Sequence, residues 1–228
     1  MRAIYLAISL DGMDDRSARK MFAQVEDMID FVKISDLVDR YGAAPIREYS
    51  QSKPVFVDTK LHDTSTTVMN RAHVYIEAGA AFFSVHTEEK VLKAASLIAA
   101  GSDTKVIGVT ELTSNPDDHE IAEKVLRKAH LAAQHGITHM TCSGFEAPLF
   151  RRSFNYKDMH LFIPGMVPEW APKPVGQERT VDPRDAIKQA EGRDCTLVLG
   201  RVVTQAETYG MTPFEVVHRI RREISSAE

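Results

Sequence analysis

Two cysteines in 228 residues, Cys142 and Cys195, are too few for a disulfide framework. That scarcity excludes the small stapled secreted folds and fits a reducing compartment. Long hydrophobic runs are missing too: the N-terminal stretch Ala3–Leu10 is broken by Ser9 and stops at Asp11. It is too short to cross a bilayer, or to be a signal core followed by a cleavage site, so a soluble cytoplasmic protein with no membrane partner is expected. Charge of one sign is lacking as well. With 28 Lys and Arg against 32 Asp and Glu, the net charge of −4 offers no basic surface to a nucleic acid. There is no H-E-x-x-H, no paired C-x-x-C and no cluster with metal-ligand spacing, so no metal is expected. G-x-G-x-x-G and the P-loop pattern are also absent, which argues against a dinucleotide or a nucleoside triphosphate.

What the chain does have is alternation. Short β-type runs and longer amphipathic stretches follow one another along nearly its whole length. The pattern predicts strands at Ala3–Ser9, Phe31–Ser35, Pro54–Lys60, Phe82–His86, Lys105–Thr110, His139–Ser143, His160–Pro164 and Thr196–Gly200. Helices are predicted over Arg16–Met28 and Asp117–His135, among others. In the second, Ile121, Val125, Ala129 and Ala132 recur at three- or four-residue steps. Asp15, and Ser65 or Thr66, suit helix starts, while Gly79 and Gly136 suit helix ends. Eight β-α repeats in this length predict an α/β fold closed as a (β/α)8 TIM barrel, with a doubly wound sheet as the alternative. No linker or low-complexity tract splits the chain, so residues 1–228 are expected to form a single domain. The longest irregular segment, Gly165–Asp182, is rich in Pro and Gly, and a loop of that length in a compact domain is usually functional.

One stretch stands out: Pro54-Val55-Phe56-Val57 ends in Asp58-Thr59-Lys60-Leu61-His62-Asp63, charges spaced D-x-K-x-x-D. Alternation along a strand sends Asp58 and Lys60 off the same face, with Asp63 just beyond in the loop. Desolvating either charge alone is costly, so the pair must serve each other or a ligand. A salt bridge capping a strand end is the bland alternative. Catalysis is favoured, because perturbed charges gather at functional sites.

A barrel demands functional groups at the C-terminal ends of its strands. Those ends carry Asp11, Lys33, Asp58, Lys60, Asp63, His86, Thr110 with Thr113 after it, and Gly200-Arg201. Lys33 lies in the apolar run Phe31-Val32-Lys33-Ile34; facing inward it would need carboxylate partners, which Asp58 and Asp11 can supply, whereas facing outward it would be a snorkelling surface lysine. Arg201 after Gly200 can fork onto a phosphate, with Pro164-Gly165 and Gln177 completing the site and Arg179 as a further candidate. His62 and His86 read as packing residues, and Cys142 as a small core residue.

The run P-V-F-V-D-T-K-L-H-D-T-S-T-T-V at 54–68 resembles the signature of the orotidine 5′-phosphate decarboxylase family. The likeness extends through Leu10-Asp11, Val32-Lys33-Ile34, V-T-E-L-T-S at 109–114, Pro164-Gly165, Gly176-Gln177-Glu178-Arg179 and Leu199-Gly200-Arg201. Ser35, Thr64-Ser65 and Ile163 stand where the family usually has other residues. The resemblance implies decarboxylation of orotidine 5′-monophosphate to uridine 5′-monophosphate without metal or cofactor. It implies that Asp58 lies against the substrate carboxylate and that Lys60 protonates C6. Lys33, Asp11 and Asp63 would hold the charge array and the ribose hydroxyls, Thr113 the pyrimidine, and Gln177 and Arg201 the phosphate. It also implies a homodimer in which Asp63 and Thr67 reach the neighbouring subunit's site.

Two other readings stay open at this point. Magnesium-dependent sugar-phosphate decarboxylases and aldolases of the same superfamily share D-x-K-x-x-D, but carry an acidic residue where this chain has Lys33. A non-catalytic barrel that binds a nucleotide phosphate needs neither lysine nor the three aspartates together.

Overall fold

The computed structural model describes residues 3–110, 121–152, 156, 158–173, 179–190 and 192–226. Eight parallel strands close on themselves in chain order: β1 (Ile4–Ser9), β2 (Phe31–Ile34), β3 (Val55–Leu61), β4 (Phe82–His86), β5 (Lys105–Val109), β6 (His139–Thr141), β7 (His160–Ile163) and β8 (Cys195–Leu199). The ladder that shuts the barrel pairs β1 with β8, from Ile4 opposite Cys195 to Ile8 opposite Leu199. This closure makes the fold a (β/α)8 TIM barrel and rules out the open doubly wound sheet. Every strand lies within a residue or two of its predicted place.

The connecting helices are α1 (Asp15–Val25), α2 (Asp36–Tyr41), α3 (Ala44–Tyr49), α4 (Ser65–Glu77), α5 (Glu89–Ala99), α6 (Ile121–Gln134), α7 (Pro183–Gln189), α8 (Arg201–Thr204) and α9 (Pro213–Ser225). Local chemistry moves some ends from their predicted positions. Asp14, rather than Asp15, caps α1 by accepting the Ser17 N–H at 2.7 Å, and the helix tightens into a 3-10 turn at Glu26–Met28. Thr64 precedes α4, one residue before the expected start. Gly79 and Gly136 follow α4 and α6 with φ of 89° and 72°, the left-handed geometry a helix stop favours. The start of the helix predicted at Asp117 lies outside the described residues.

Two cores follow from the period-2 alternation of the strands. Outward residues such as Leu6, Ile8, Val32, Val57 and Leu197 are fully buried beneath the helices. Inward residues stack in layers. Ala7, Phe56, Ile107, Phe162 and Val198 fill the middle. Below them, at the strand starts, five rings close a circuit. Tyr5 meets Phe31 at 5.2 Å between centroids, Phe31 meets Phe82 at 5.4 Å, and Phe82 meets His139 at 5.6 Å. His139 then stacks on His160 at 5.5 Å, and His160 on Tyr5 at 5.6 Å. This floor seals the barrel, so a cavity can open only at the other end.

Candidate active site

The same strands, followed two residues further, arrive at charge. On β2 the inward residue after Phe31 is Lys33, and on β3 the inward residue after Phe56 is Asp58. Lys33 Nζ lies 3.2 Å from Asp58 Oδ2 and makes a close contact with Asp11 Oδ2. Lys60 Nζ donates to Asp58 Oδ2 at 2.8 Å. Ser9 Oγ donates to Asp11 Oδ2 at 2.9 Å. The result is an alternating row, Asp11–Lys33–Asp58–Lys60, gathered from three strand ends.

Burial grades these groups. The Lys33 and Asp58 side chains are 8% and 9% exposed, whereas Lys60 is 33% exposed. Burial by itself pushes the Asp58 carboxyl up. The Lys33 and Lys60 ammoniums and two hydrogen bonds outweigh it and hold the carboxyl below the usual aspartate value. Lys33 is the mirror case: burial pulls its pKa down, but Asp58 and Asp11 raise it above the ordinary lysine value. Two ions are therefore locked in place, and Lys60 is the more exposed of the two lysines.

Strand β3 is not regular where it bears them. Val57 pairs with Phe83, but the next pair is Leu61 with Val85, so Asp58, Thr59 and Lys60 bulge opposite Ser84 alone. Lys60 has φ of 47°, the left-handed conformation that costs an L residue with a side chain about 1–2 kcal/mol. Among the described residues it is the only non-glycine with positive φ.

Asp11, Lys33, Asp58 and Lys60 line one side of a cavity of about 410 Å³. Pro164, Gly165, Gly200 and Arg201, from the ends of β7 and β8, line the cavity as well, and Phe56, Val109, Thr141 and Val198 form the apolar bottom. The Thr141 hydroxyl there is buried and has no hydrogen-bond partner among the described residues. Gly165, with φ of 80°, starts the long loop whose neck is zipped shut. The Val181 N–H donates to the Gly165 carbonyl and the Val167 N–H to the Val181 carbonyl, both at 3.0 Å. Among the described residues, no three His, Cys, Asp or Glu side chains are grouped to hold a metal ion.

Other expected residues lie elsewhere. Asp63 is exposed and outside the cavity lining; its Oδ1 accepts the Thr64 N–H at 2.6 Å. Thr67 is also outside the lining, with its hydroxyl 3.1 Å from that of Thr64. Thr113 and Gln177 lie outside the described residues. Arg179, a phosphate candidate from sequence, instead pairs with the buried Glu146 at 2.8 Å. That carboxylate also accepts the Ser143 N–H at 3.1 Å and the Thr110 hydroxyl at 3.3 Å. His62 and His86 pack ring to ring at 4.9 Å, also outside the cavity. Sequence reasoning passed over Ser84 and Glu146. A polar residue at an inward position of F-F-S-V-H, and an acid in a run as apolar as the one around Glu146, were the available signals.

Chemically, the arrangement offers a fixed carboxylate, a more exposed lysine beside it, an apolar bottom and an arginine, Arg201, in the same lining. It suits a small anion whose reacting end develops negative charge.

The comparisons with known proteins agree with one another. A family model described as "Orotidine 5'-phosphate decarboxylase / HUMPS family" matches residues 5–210. The orotidine 5′-phosphate decarboxylase of Caulobacter sp. (strain K31) is 34% identical over 211 residues, 88% of this chain and 90% of the relative. That of Rhodopseudomonas palustris (strain BisA53) is 34% identical over 213 residues, 88% of each. The solved orotidine 5′-monophosphate decarboxylase of Methanocaldococcus jannaschii, complexed with the inhibitor BMP, has a TM-score of 0.78. It covers 98% of this chain and 99% of its own at 20% identity, a likeness of fold.

Proposed function

The chain belongs to the orotidine 5′-phosphate decarboxylase / HUMPS family, and from that premise we propose that it converts orotidine 5′-monophosphate to uridine 5′-monophosphate in pyrimidine synthesis. The supporting observation is the row Asp11–Lys33–Asp58–Lys60 along one wall of the cavity. The substrate carboxylate meets Asp58, which its neighbours keep ionised, and this crowding eases as carbon dioxide leaves. The C6–carboxylate bond breaks with its electron pair left on C6. The Lys60 ammonium stabilises that pair, then donates its proton to form the C6–H bond, and recovers a proton from solvent. Lys33 and Asp11 are assigned to holding the row in register. The reaction so written needs no metal or other cofactor.

At the ends of β7 and β8, Arg201 and the backbone of Gly165 and Gly200 receive the phosphate, with Pro164 packed beside them. Gln177 is assigned to the same phosphate and Thr113 to the pyrimidine. Binding energy gathered there serves the reacting end. The magnesium-dependent alternative is disfavoured because the Lys33 ammonium already stands between the two carboxylates that would have to hold the ion.

Asp63 and Thr67 are outside their own chain's cavity, so we assign them to the site of a second copy in a homodimer. The whole chain, 1–228, acts as one catalytic unit. A cytoplasmic location accords with a chain that has only two cysteines, Cys142 and Cys195, both buried.

Loss of orotidine monophosphate absorbance with EDTA present tests the reaction. Turnover is expected, and binding without turnover, or activity only on a sugar phosphate with magnesium, overturns it. For the shared site, Asp63→Ala and Lys60→Ala subunits are mixed. Hybrid dimers should regain activity, and proven hybrids that stay inactive refute sharing.

A further inference from the structure

The bulge in β3 poses two problems that a regular strand does not. Three residues, Asp58, Thr59 and Lys60, face a single residue of β4, so the ladder has no carbonyl in line for the Lys60 N–H. A buried amide without an acceptor is costly. The Asp58 carboxylate must also keep one orientation while both lysines pull on the same oxygen, Oδ2.

Ser84 answers both. It is fully buried, and its Oγ accepts the Lys60 N–H at 2.9 Å while donating to Asp58 Oδ1 at 2.8 Å. The directions are forced: an ionised carboxylate only accepts and an amide only donates, so the one hydroxyl proton goes to Asp58. Asp58 is thus gripped at both oxygens, by Ser84 at Oδ1 and by the lysines at Oδ2. The left-handed backbone at Lys60 is pinned by the same atom.

We infer that Ser84 is a positioning residue for the reaction, one hydroxyl that sets both the Asp58 carboxylate and the backbone from which Lys60 reaches the substrate. The inference rests on the proposed decarboxylation, and it extends that reading to a side chain that does not line the cavity. Without the hydroxyl the carboxylate turns about its last torsion and the Lys60 amide loses its acceptor. The hydroxyl's two bonds go to β3, and neither reaches the proposed phosphate rim at the ends of β7 and β8. The loss therefore falls on the chemical step and spares binding.

The test compares Ser84→Ala, Ser84→Cys and Ser84→Thr with the wild type. The readouts are kcat and KM on orotidine monophosphate, uridine monophosphate affinity by calorimetry, and hydrogen exchange of the Lys60 amide. In Ser84→Ala, kcat should fall about 100-fold while KM and product affinity stay within about threefold, a split that a merely structural role would not produce. The Lys60 amide should exchange at least about tenfold faster. Ser84→Thr, which keeps the hydroxyl, should recover most of kcat. Ser84→Cys, with a weaker donor and acceptor, should lie between, and it decides the matter if the alanine protein does not fold. Wild-type kcat in a folded Ala or Cys protein overturns the inference. So do equal losses in kcat and product affinity, or an unchanged Lys60 exchange rate. Should the wild type not turn over orotidine monophosphate, the function fails separately, and the Lys60 amide exchange still decides for or against the hydroxyl.

Discussion

The same strands build the floor of the barrel and its mouth, yet the two ends carry opposite chemistry. At the floor, Tyr5, Phe31, Phe82, His139 and His160 close a ring under Phe162, each bond of the circuit an ordinary ring contact. At the mouth, Asp11, Lys33, Asp58 and Lys60 are drawn together against their own desolvation, beside a backbone kink with φ of 47°. A single step along β2, Phe31 to Lys33, crosses from one regime to the other, and on β3 Asp58 follows Phe56 of the middle layer. Rings bury easily at the floor, whereas the one left-handed non-glycine among the described residues stands at the mouth.

That division can be broken at either end, and the expected effects differ in kind. The largest belongs to the mouth. Lys60→Ala should lower kcat/KM by about 10⁴-fold or more with an unchanged circular dichroism spectrum. Substantial activity in the folded variant refutes its role as proton donor. Next comes the floor, where Phe162→Ala removes a fully buried ring and should cost about 3–5 kcal/mol in denaturant unfolding. A loss below 1 kcal/mol would show that the plug carries little of the stability.

Acid separates the ends further. Burial holds His139 and His160 down at about 4, against an ordinary histidine value of 6.5. Below 6.5 the unfolded chain takes up protons that the folded chain refuses. Stability therefore falls as pH drops from about 6.5 to about 4, by roughly 3 kcal/mol per histidine, then levels off. Asp58 works in a lower window. Its pKa lies below 3.8, so the stability its ionisation contributes is present above that value and is lost only as pH falls further. His139→Phe should remove about half of the loss between 6.5 and 4, measured by melting temperature against pH. An unchanged acid limb would place the titrating groups elsewhere. The smallest effect is expected at the rim. Arg201→Ala should raise KM about 10- to 100-fold with kcat changed far less, and an unchanged KM would remove it from the phosphate site.

The legible parts of the sequence were those with local signatures. Eight apolar runs with turn residues between them marked the strands, because side-chain alternation and helix periodicity are properties of consecutive residues. The D-x-K-x-x-D spacing marked the site for the same reason, and the upstream Lys33 could be assigned partners because the barrel rule says where strand ends meet. Arg179 was misjudged because nothing near it in sequence announces Glu146, thirty-three positions earlier, which claims it. Ser84 was silent because a serine in a strand has many uses until its neighbour across the ladder is known.

By itself, the sequence determined which residues lie on the same strand face, and therefore that an apolar start and a charged end share the inward columns of β2 and β3. Those outcomes follow from chain stereochemistry and hydrophobic patterning. Only the tertiary structure decided that the columns close into a ring of aromatic and imidazole groups below and a row of alternating charges above. Strand pairing brings residues from β1, β2, β3 and β4 within hydrogen-bond distance, and the bulge that places Ser84 between Asp58 and Lys60 exists only in the register of one strand against another.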